Sequence, residues 1–386
     1  MDFFQMVNAA TGLKHFSTID LLKWTAIVIA ICLVSWLLVR LLMTADKKFN
    51  FLRPKVILPL LVIVFLVDFF SGGNTIPLSP QSALIKLKIN VVSAPSFSFL
   101  VNLKRSLENK REWGISPARS VAKEVFERDD TTRRELLILV ESWGLLRDTA
   151  LENELTKPLY ACAIKNGLDV KEGVANYKYL TQIAEMREIT GSFRTFSSVD
   201  STFARQHSLF HKKRLQGYTV IGIHGYSGGF YDRARWWPVL GVQHMFFAEQ
   251  LSKLQLPFGG NPFFRGAEDT AIGKWIFQHA EEQGKEKQFY YWVTLNTHLP
   301  LVPRNDKPFQ DFKERWKGHD EDVLQLSYKL SELFKILAQT IDGSAIPMHI
   351  LIVGDHAPPF IDPAKRLDYD PLYVPFIELR PARIGA

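Results

Sequence analysis

From Leu21 to Met43 the residues are apolar on every side of a helix, with Lys23 and Arg40 near the two ends. That is about the 20 residues a membrane-spanning helix needs, and long basic side chains at its ends snorkel to the interface. A second apolar run, Val56 to Phe70, is interrupted by Pro59 and carries Asp68. Together the runs predict a transmembrane hairpin over residues 1–70. The link between them holds Lys47, Lys48, Arg53 and Lys55. Basic links stay on the cytoplasmic side, so everything after Phe70 is expected outside the cytoplasm. The first run starts too far from Met1, and is too long, for a simple cleaved signal.

Residues 71–134 read as a linker and membrane-proximal stalk. Ser71 to Pro80 is rich in Gly, Pro, Ser and Asn, as linkers are. Ser82 to Leu103 mixes apolar positions with Lys86 and Lys88, a pattern that suits either a membrane surface or an ordinary docked element. Lys104 to Arg134 is highly charged. From residue 135 to 386 the pattern changes to short apolar runs at Leu136–Val140, Thr219–Ile223, Phe289–Leu295, His349–Val353 and Tyr373–Leu379. These predict strands, and helical periodicity fills the gaps, most clearly from Asp311 to Ile341, which should hold more than one helix. The alternation predicts an α/β domain with a mostly parallel central sheet sandwiched by helices.

Composition narrows the function little. The net charge of +7 is modest, and no dense Lys/Arg cluster is interleaved with aromatics, so no nucleic-acid partner is expected. The basic surplus suits anionic lipid headgroups equally well. With two cysteines, Cys32 and Cys162, the first inside an apolar run, there is no disulfide framework or Cys-rich metal site.

The strand ends carry the chemistry. Leu139-Val140 runs into Glu141-Ser142, Ile223 into His224-Gly225, Leu295 into Asn296-Thr297-His298, and Val353-Gly354 into Asp355-His356. In a parallel sheet these ends converge on one edge, where ligands bind in open α/β folds. Glu141, Asp355 and His356 would then form a mixed oxygen and nitrogen set suited to one divalent metal, Zn²⁺ or Mn²⁺. Singly, each has an ordinary alternative: an ion-pair partner, a helix cap, a hydrogen-bonded loop residue. Their joint occurrence favours a site.

With these residues in order, the stretch from Glu135 to Leu379 resembles the sulfatase-like branch of the alkaline phosphatase superfamily. It is most similar there to membrane-anchored phospholipid headgroup transferases: lipoteichoic acid synthases, lipid A phosphoethanolamine transferases and periplasmic glucan phosphoglycerol transferases. Leu139-Val140-Glu141-Ser142 is similar to the first metal motif, and Gly354-Asp355-His356 to the later Ser-Asp-His-Gly motif. The family also uses a Thr, or a modified Cys or Ser, as nucleophile and fourth metal contact. The segment Gly191-Ser192-Phe193-Arg194-Thr195, with Ser198 three residues on, fits its spacing and selects Thr195 over nearby Thr190. The resemblance implies substrate contacts from His224, Tyr231 and Arg233, through the stretch His224-Gly225 to Phe230-Tyr231-Asp232-Arg233. It implies a phosphate contact, and a proton for the leaving oxygen, from His298 in Thr297-His298-Leu299-Pro300. Gly266-Ala267-Glu268-Asp269 is similar to a Ser-Asp-Glu motif that positions active-site side chains. Tyr231 stands where lipoteichoic acid synthases have Trp, and Gly354 and Ala357 replace the Ser and final Gly of the metal motif. The Cys/Ser-x-Pro-x-Arg signature of sulfate-ester hydrolases is absent.

What the resemblance implies is an alkaline phosphatase-like fold behind a membrane anchor, with the catalytic domain on the periplasmic or extracytoplasmic side of the inner membrane. The expected activity is metal-dependent transfer of phosphoethanolamine or phosphoglycerol from a phospholipid donor, through a phospho-threonine, to a cell-envelope glycan or lipid. A membrane-anchored phosphatase or phosphodiesterase, and a degenerate envelope protein without activity, are the alternatives.

Overall fold

Leu136-Leu137-Ile138-Leu139-Val140 is apolar on both sides of an extended chain, which suits a strand covered on both faces. In a computed structural model this run lies in β1 (Arg134–Val140), every residue of which is buried. The structure describes residues 116–127, 132–178, 180–196, 199–260, 264–360 and 362–382. The expected hairpin of residues 1–70, and the stalk up to residue 115, lie outside the described residues. Among the described residues no helix is long and apolar enough to cross a membrane.

The remaining strands of the central sheet are β2 (Leu168–Asn176), β3 (Thr219–His224), β4 (His244–Phe246), β5 (Gln288–Val293), β6 (His349–Gly354) and β7 (Tyr373–Pro381). Their order across the sheet is β2-β7-β6-β1-β5-β3-β4. From β6 to β4 all neighbours pair in parallel, as expected. β7 is antiparallel to both of its neighbours, so the sheet is mixed. β2 and β4 escape a hydrophobicity reading because they are edge strands. β2 exposes much of its length and carries Asp169, Lys171 and Glu172, charges of the kind that keep an open edge from pairing with other chains.

Among the described residues the helices that cover the sheet include α1 (Val121–Phe126), α2 (Thr149–Lys165), α3 (Thr181–Thr190), α4 (Arg233–Leu240), α5 (Asp269–Glu282) and α6 (Glu321–Gly343). Alternation along each strand sorts side chains to two faces. Leu136, Ile138, Tyr290, Trp292, Ile350 and Ile352 share one core with α2, α5 and α6. Leu137, Leu139, Phe289, Tyr291, Leu351 and Val353 share the other with α1, α3 and α4. The helical stretch expected from Asp311 to Ile341 is divided, with a short helix, Lys307–Arg315, ahead of α6. Residues expected to be stalk belong to the domain: Val121, Ala122, Val125 and Phe126 of α1 are buried in the second core.

Register decides where chemistry can gather. Gly354 pairs with Val140, Leu139 with Val293, and Val293 with His224. The residues that follow these strands therefore emerge side by side at one sheet edge.

Candidate metal centre and active site

Glu141 and Asp355 leave adjacent parallel strands at the same level, and the ladder continues one step beyond them as the Asp355 amide donates to Val140 O at 3.1 Å. With His356, they place three ligand atoms within 4.8 Å of one another, all on buried residues. His356 Nε2 lies 3.2 Å from Asp355 Oδ2 and 3.7 Å from Glu141 Oε1. Its Nδ1 donates to Ala357 O at 3.0 Å, which leaves the Nε2 lone pair directed at the two carboxylates. Ser142 donates its amide to Asp355 Oδ1 at 2.8 Å and its hydroxyl to Glu141 Oε1 at 2.9 Å. The loop from β5 closes the other side, where Thr294 Oγ1 accepts from the Glu141 amide at 2.9 Å.

The hydroxyl that meets this cluster belongs to Thr181. Its Oγ1 donates to Glu141 Oε2 at 3.0 Å and lies 3.4 Å from His356 Nε2. Thr181 is the first residue of α3, whose N-cap, Leu180, offers no side-chain hydrogen bond. Thr195, the expected nucleophile, lies beyond the far end of this helix, after the short strand Ser192–Phe193. The reason for the difference is local. Gly191, read from sequence as leading into the nucleophile, is the left-handed C-cap that ends α3 at φ 72°. The hydroxyl that reaches the cluster starts this helix instead, at Thr181. The available signal was the helix itself: Thr181-Gln182-Ile183-Ala184 to Thr190 stops at a glycine, and its start faces the same sheet edge as Asn176, the end of β2.

α3 is buried along its whole length, including Glu185, Arg187 and Glu188. Such charges are tolerated only when paired. Arg187 donates to Glu188 at 2.6 Å, to Asn176 O at 2.9 Å and to Gly354 O at 2.9 Å, which ties the helix to the strand end that carries Asp355.

The electrostatics of the cluster suit a cation. Burial and the neighbouring Glu141 carboxylate push Asp355 up to about 7. Burial raises Glu141 too, but His298, His356 and the hydroxyls of Ser142 and Thr181 outweigh it and hold that carboxyl below its usual range. Burial disfavours the charged imidazole of His356, yet the two carboxylates raise it overall. Asp355 Oδ2 is buried with no hydrogen-bond partner among the described residues, while Oδ1 accepts two amides. A buried carboxylate oxygen that accepts no hydrogen bond among the described residues, beside an imidazole nitrogen and a second carboxylate, is a donor set that fits a divalent ion. With His356 neutral, the two carboxylates match a dication in charge.

The other expected residues gather nearby with different surroundings. His298 Nδ1 lies 2.7 Å from Leu299 O, and its ring packs against Phe264 at 3.9 Å between centroids. Burial lowers its pKa, opposed by Glu141. Asp269 holds this loop, its carboxylate accepting the amides of Leu295 and Asn296 at 2.9 and 2.6 Å. His224 Nδ1 lies 3.0 Å from Val293 O. Its Nε2 is buried without a partner among the described residues, and burial keeps the ring neutral. Tyr231 is buried in a left-handed turn, φ 56°, against Phe230. Arg233 is buried against Glu185 rather than open to a phosphate.

A family model described as Sulfatase matches residues 180–381, more than half of the 386-residue chain. The match spans Thr181, His298, Asp355 and His356 and begins after Glu141. No curated protein matches. Among solved structures the chain is similar to the lipoteichoic acid synthase LtaP from Listeria monocytogenes, at 14% identity over 72% of each chain with a TM-score of 0.47. It is similar to the phosphoglycerol transferase GacH of Streptococcus pyogenes in complex with sn-glycerol-1-phosphate, at 16% identity, 71% and 74% coverage and a TM-score of 0.45. It is also similar to the C-terminal periplasmic domain of EptC from Escherichia coli, at 16% identity, 69% and 75% coverage and a TM-score of 0.46.

Proposed function

This chain belongs to the sulfatase family, within the alkaline phosphatase superfamily, and we propose that it is a metal-dependent phospholipid headgroup transferase. The group moved is phosphoethanolamine or phosphoglycerol, the intermediate is a phospho-threonine on Thr181, and the acceptor is a cell-envelope glycan or lipid. The observation that carries the reading is a threonine hydroxyl on a helix N-terminus, hydrogen-bonded to a buried Glu/Asp/His cluster.

Glu141, Asp355, His356 and Thr181 would hold one Zn²⁺ or Mn²⁺. The ion supplies Lewis-acid polarisation of phosphoryl oxygens and favours the alkoxide of a bound hydroxyl. Thr181 Oγ1 loses its proton and attacks phosphorus; the bond from phosphorus to the diacylglycerol oxygen breaks. The first turn of α3 presents backbone amides and the positive end of the helix dipole to the phosphate oxygens. His298, whose protonated form burial disfavours, takes the proton of the attacking hydroxyl and passes it to the leaving oxygen. In the second half an acceptor hydroxyl attacks the phospho-threonine, and Thr181 recovers a proton. His224 Nε2, without a hydrogen-bond partner among the described residues, is suited to a headgroup hydroxyl or ammonium.

A lipid donor explains the apolar runs of residues 1–70: an anchored enzyme meets its substrate without extracting it from the bilayer. The catalytic domain then lies on the extracytoplasmic side. The test is to incubate purified, metal-loaded protein with fluorescent phosphatidylethanolamine or phosphatidylglycerol and follow labelled diacylglycerol. Release from one of the lipids, increased by an added acceptor, is expected. Turnover that ignores the acceptor and yields free headgroup phosphate identifies a hydrolase, and no release from either lipid sinks the reading.

A further inference from the structure

We propose that Ser142 is a positioning residue that decides which carboxylate oxygens Glu141 and Asp355 turn toward the cation; this rests on the metal-dependent reading above. Ser142 is fully buried and directly follows Glu141. Its backbone sits at φ 58°, in the left-handed region that non-glycine residues seldom occupy. A glycine would take this conformation without strain. Serine adds a hydroxymethyl group, whose hydroxyl donates to Glu141 Oε1 at 2.9 Å. Meanwhile the Ser142 amide donates to Asp355 Oδ1 at 2.8 Å, beside the His356 amide at 2.6 Å.

One residue thus grips one oxygen of each carboxylate from two different strands. The consequence is visible in what it leaves over. Among the described residues Asp355 Oδ2 accepts no hydrogen bond and lies 3.2 Å from His356 Nε2, and Glu141 Oε2 accepts from the Thr181 hydroxyl. Asp355 Oδ2 thus faces His356 Nε2, and Glu141 Oε2 faces the Thr181 hydroxyl. Serine keeps this strained backbone while its hydroxyl holds one oxygen of Glu141.

The test uses the full chain and separates orientation from folding. Wild-type, S142G and S142A proteins are stripped of metal; Zn²⁺ and Mn²⁺ affinities are measured by calorimetry, and apo-protein unfolding temperatures are recorded. Both variants should bind 10- to 100-fold more weakly, roughly the loss seen when a group orienting a ligand is removed. The unfolding temperature of apo S142G should equal or exceed that of wild type, because glycine relieves the strain, whereas apo S142A should not gain. Weaker binding together with unchanged or higher stability in S142G is the signature of positioning. Affinity in S142G equal to wild type overturns the proposal, as does a loss of affinity in S142G that only accompanies a lowered apo stability. A wild-type protein that takes up neither ion overturns the metal reading as well; tight wild-type binding unchanged in S142G overturns this inference alone.

Discussion

Arg233 Nη2 lies 2.8 Å, and its Nε 2.9 Å, from Glu185 Oε1, with both side chains shut off from solvent. Glu185 lies one turn along α3 from Thr181, and its other oxygen accepts from Trp237 Nε1 at 3.0 Å and Tyr291 Oη at 3.1 Å. The arginine that the family resemblance assigns to substrate phosphate is therefore occupied in holding the helix that begins at Thr181. Replacing it by glutamine leaves Glu185 buried without its cation, a change that costs about 3–5 kcal/mol in buried pairs. R233Q should lower the urea midpoint by a corresponding amount. A fully stable R233Q with only a raised KM for the lipid would return Arg233 to the phosphate.

The two threonines separate by rate. Thr181→Ala removes the hydroxyl at Glu141 and should reduce diacylglycerol release at least about a thousandfold, as loss of a nucleophile does. Thr195→Ala, beyond the C-terminus of α3, should leave the rate within a few-fold of wild type under the same assay.

Gly354 stands where the related metal motif has serine, and the structure supplies the reason. A Cβ there would fall 2.1 Å from Trp143 O and 3.1 Å from Val374 Cβ. Restoring the serine should destabilise by about 1–3 kcal/mol or more, since backbone has to shift to admit it. Thermal unfolding of G354S checks this; unchanged stability would mean that the β6 end can relax away from Trp143.

Glu152 gives stability a pH dependence apart from the catalytic cluster. Burial pushes its carboxyl up to about 7, partly opposed by the Leu146 amide and Trp143 Nε1. The folded chain thus binds this proton more tightly than the unfolded chain, whose carboxyl titrates near 4.5. Between these values the folded state carries more protons, so its contribution is complete below about pH 4.5 and is lost as pH rises through 7. E152Q removes the charge and keeps an acceptor for Trp143. It should match wild type near pH 5 and exceed it by about 1–3 kcal/mol at pH 8. Equal stability at both pH values would show that the carboxylate is well solvated.

How much of this was legible in the sequence follows from what each residue's environment demands. Leu136–Val140 and His349–Val353 could only be strands covered on both faces, and their ends were bound to meet once the sheet was parallel; Glu141, Asp355 and His356 came with them. β2 was not legible, because an edge strand with Asp169, Lys171 and Glu172 looks like any solvated segment. Missing it hid the crossing that delivers α3, and with it Thr181. The spacing that points to Thr195 counts from Gly191, and Gly191 ends α3. The fate of Arg233 was equally hidden, because its partner lies 48 residues away in sequence on a helix whose burial no local pattern announces.

The account stands or falls on the bond that Thr181 forms. Metal-loaded protein is mixed with phosphatidylethanolamine or phosphatidylglycerol without acceptor, quenched in acid, digested and mapped by mass spectrometry. A headgroup-phosphate mass on the peptide containing Thr181, lost when acceptor is added and absent in T181A, is the predicted result. Diacylglycerol release with the adduct on Thr195, or with no adduct on any threonine, would contradict it.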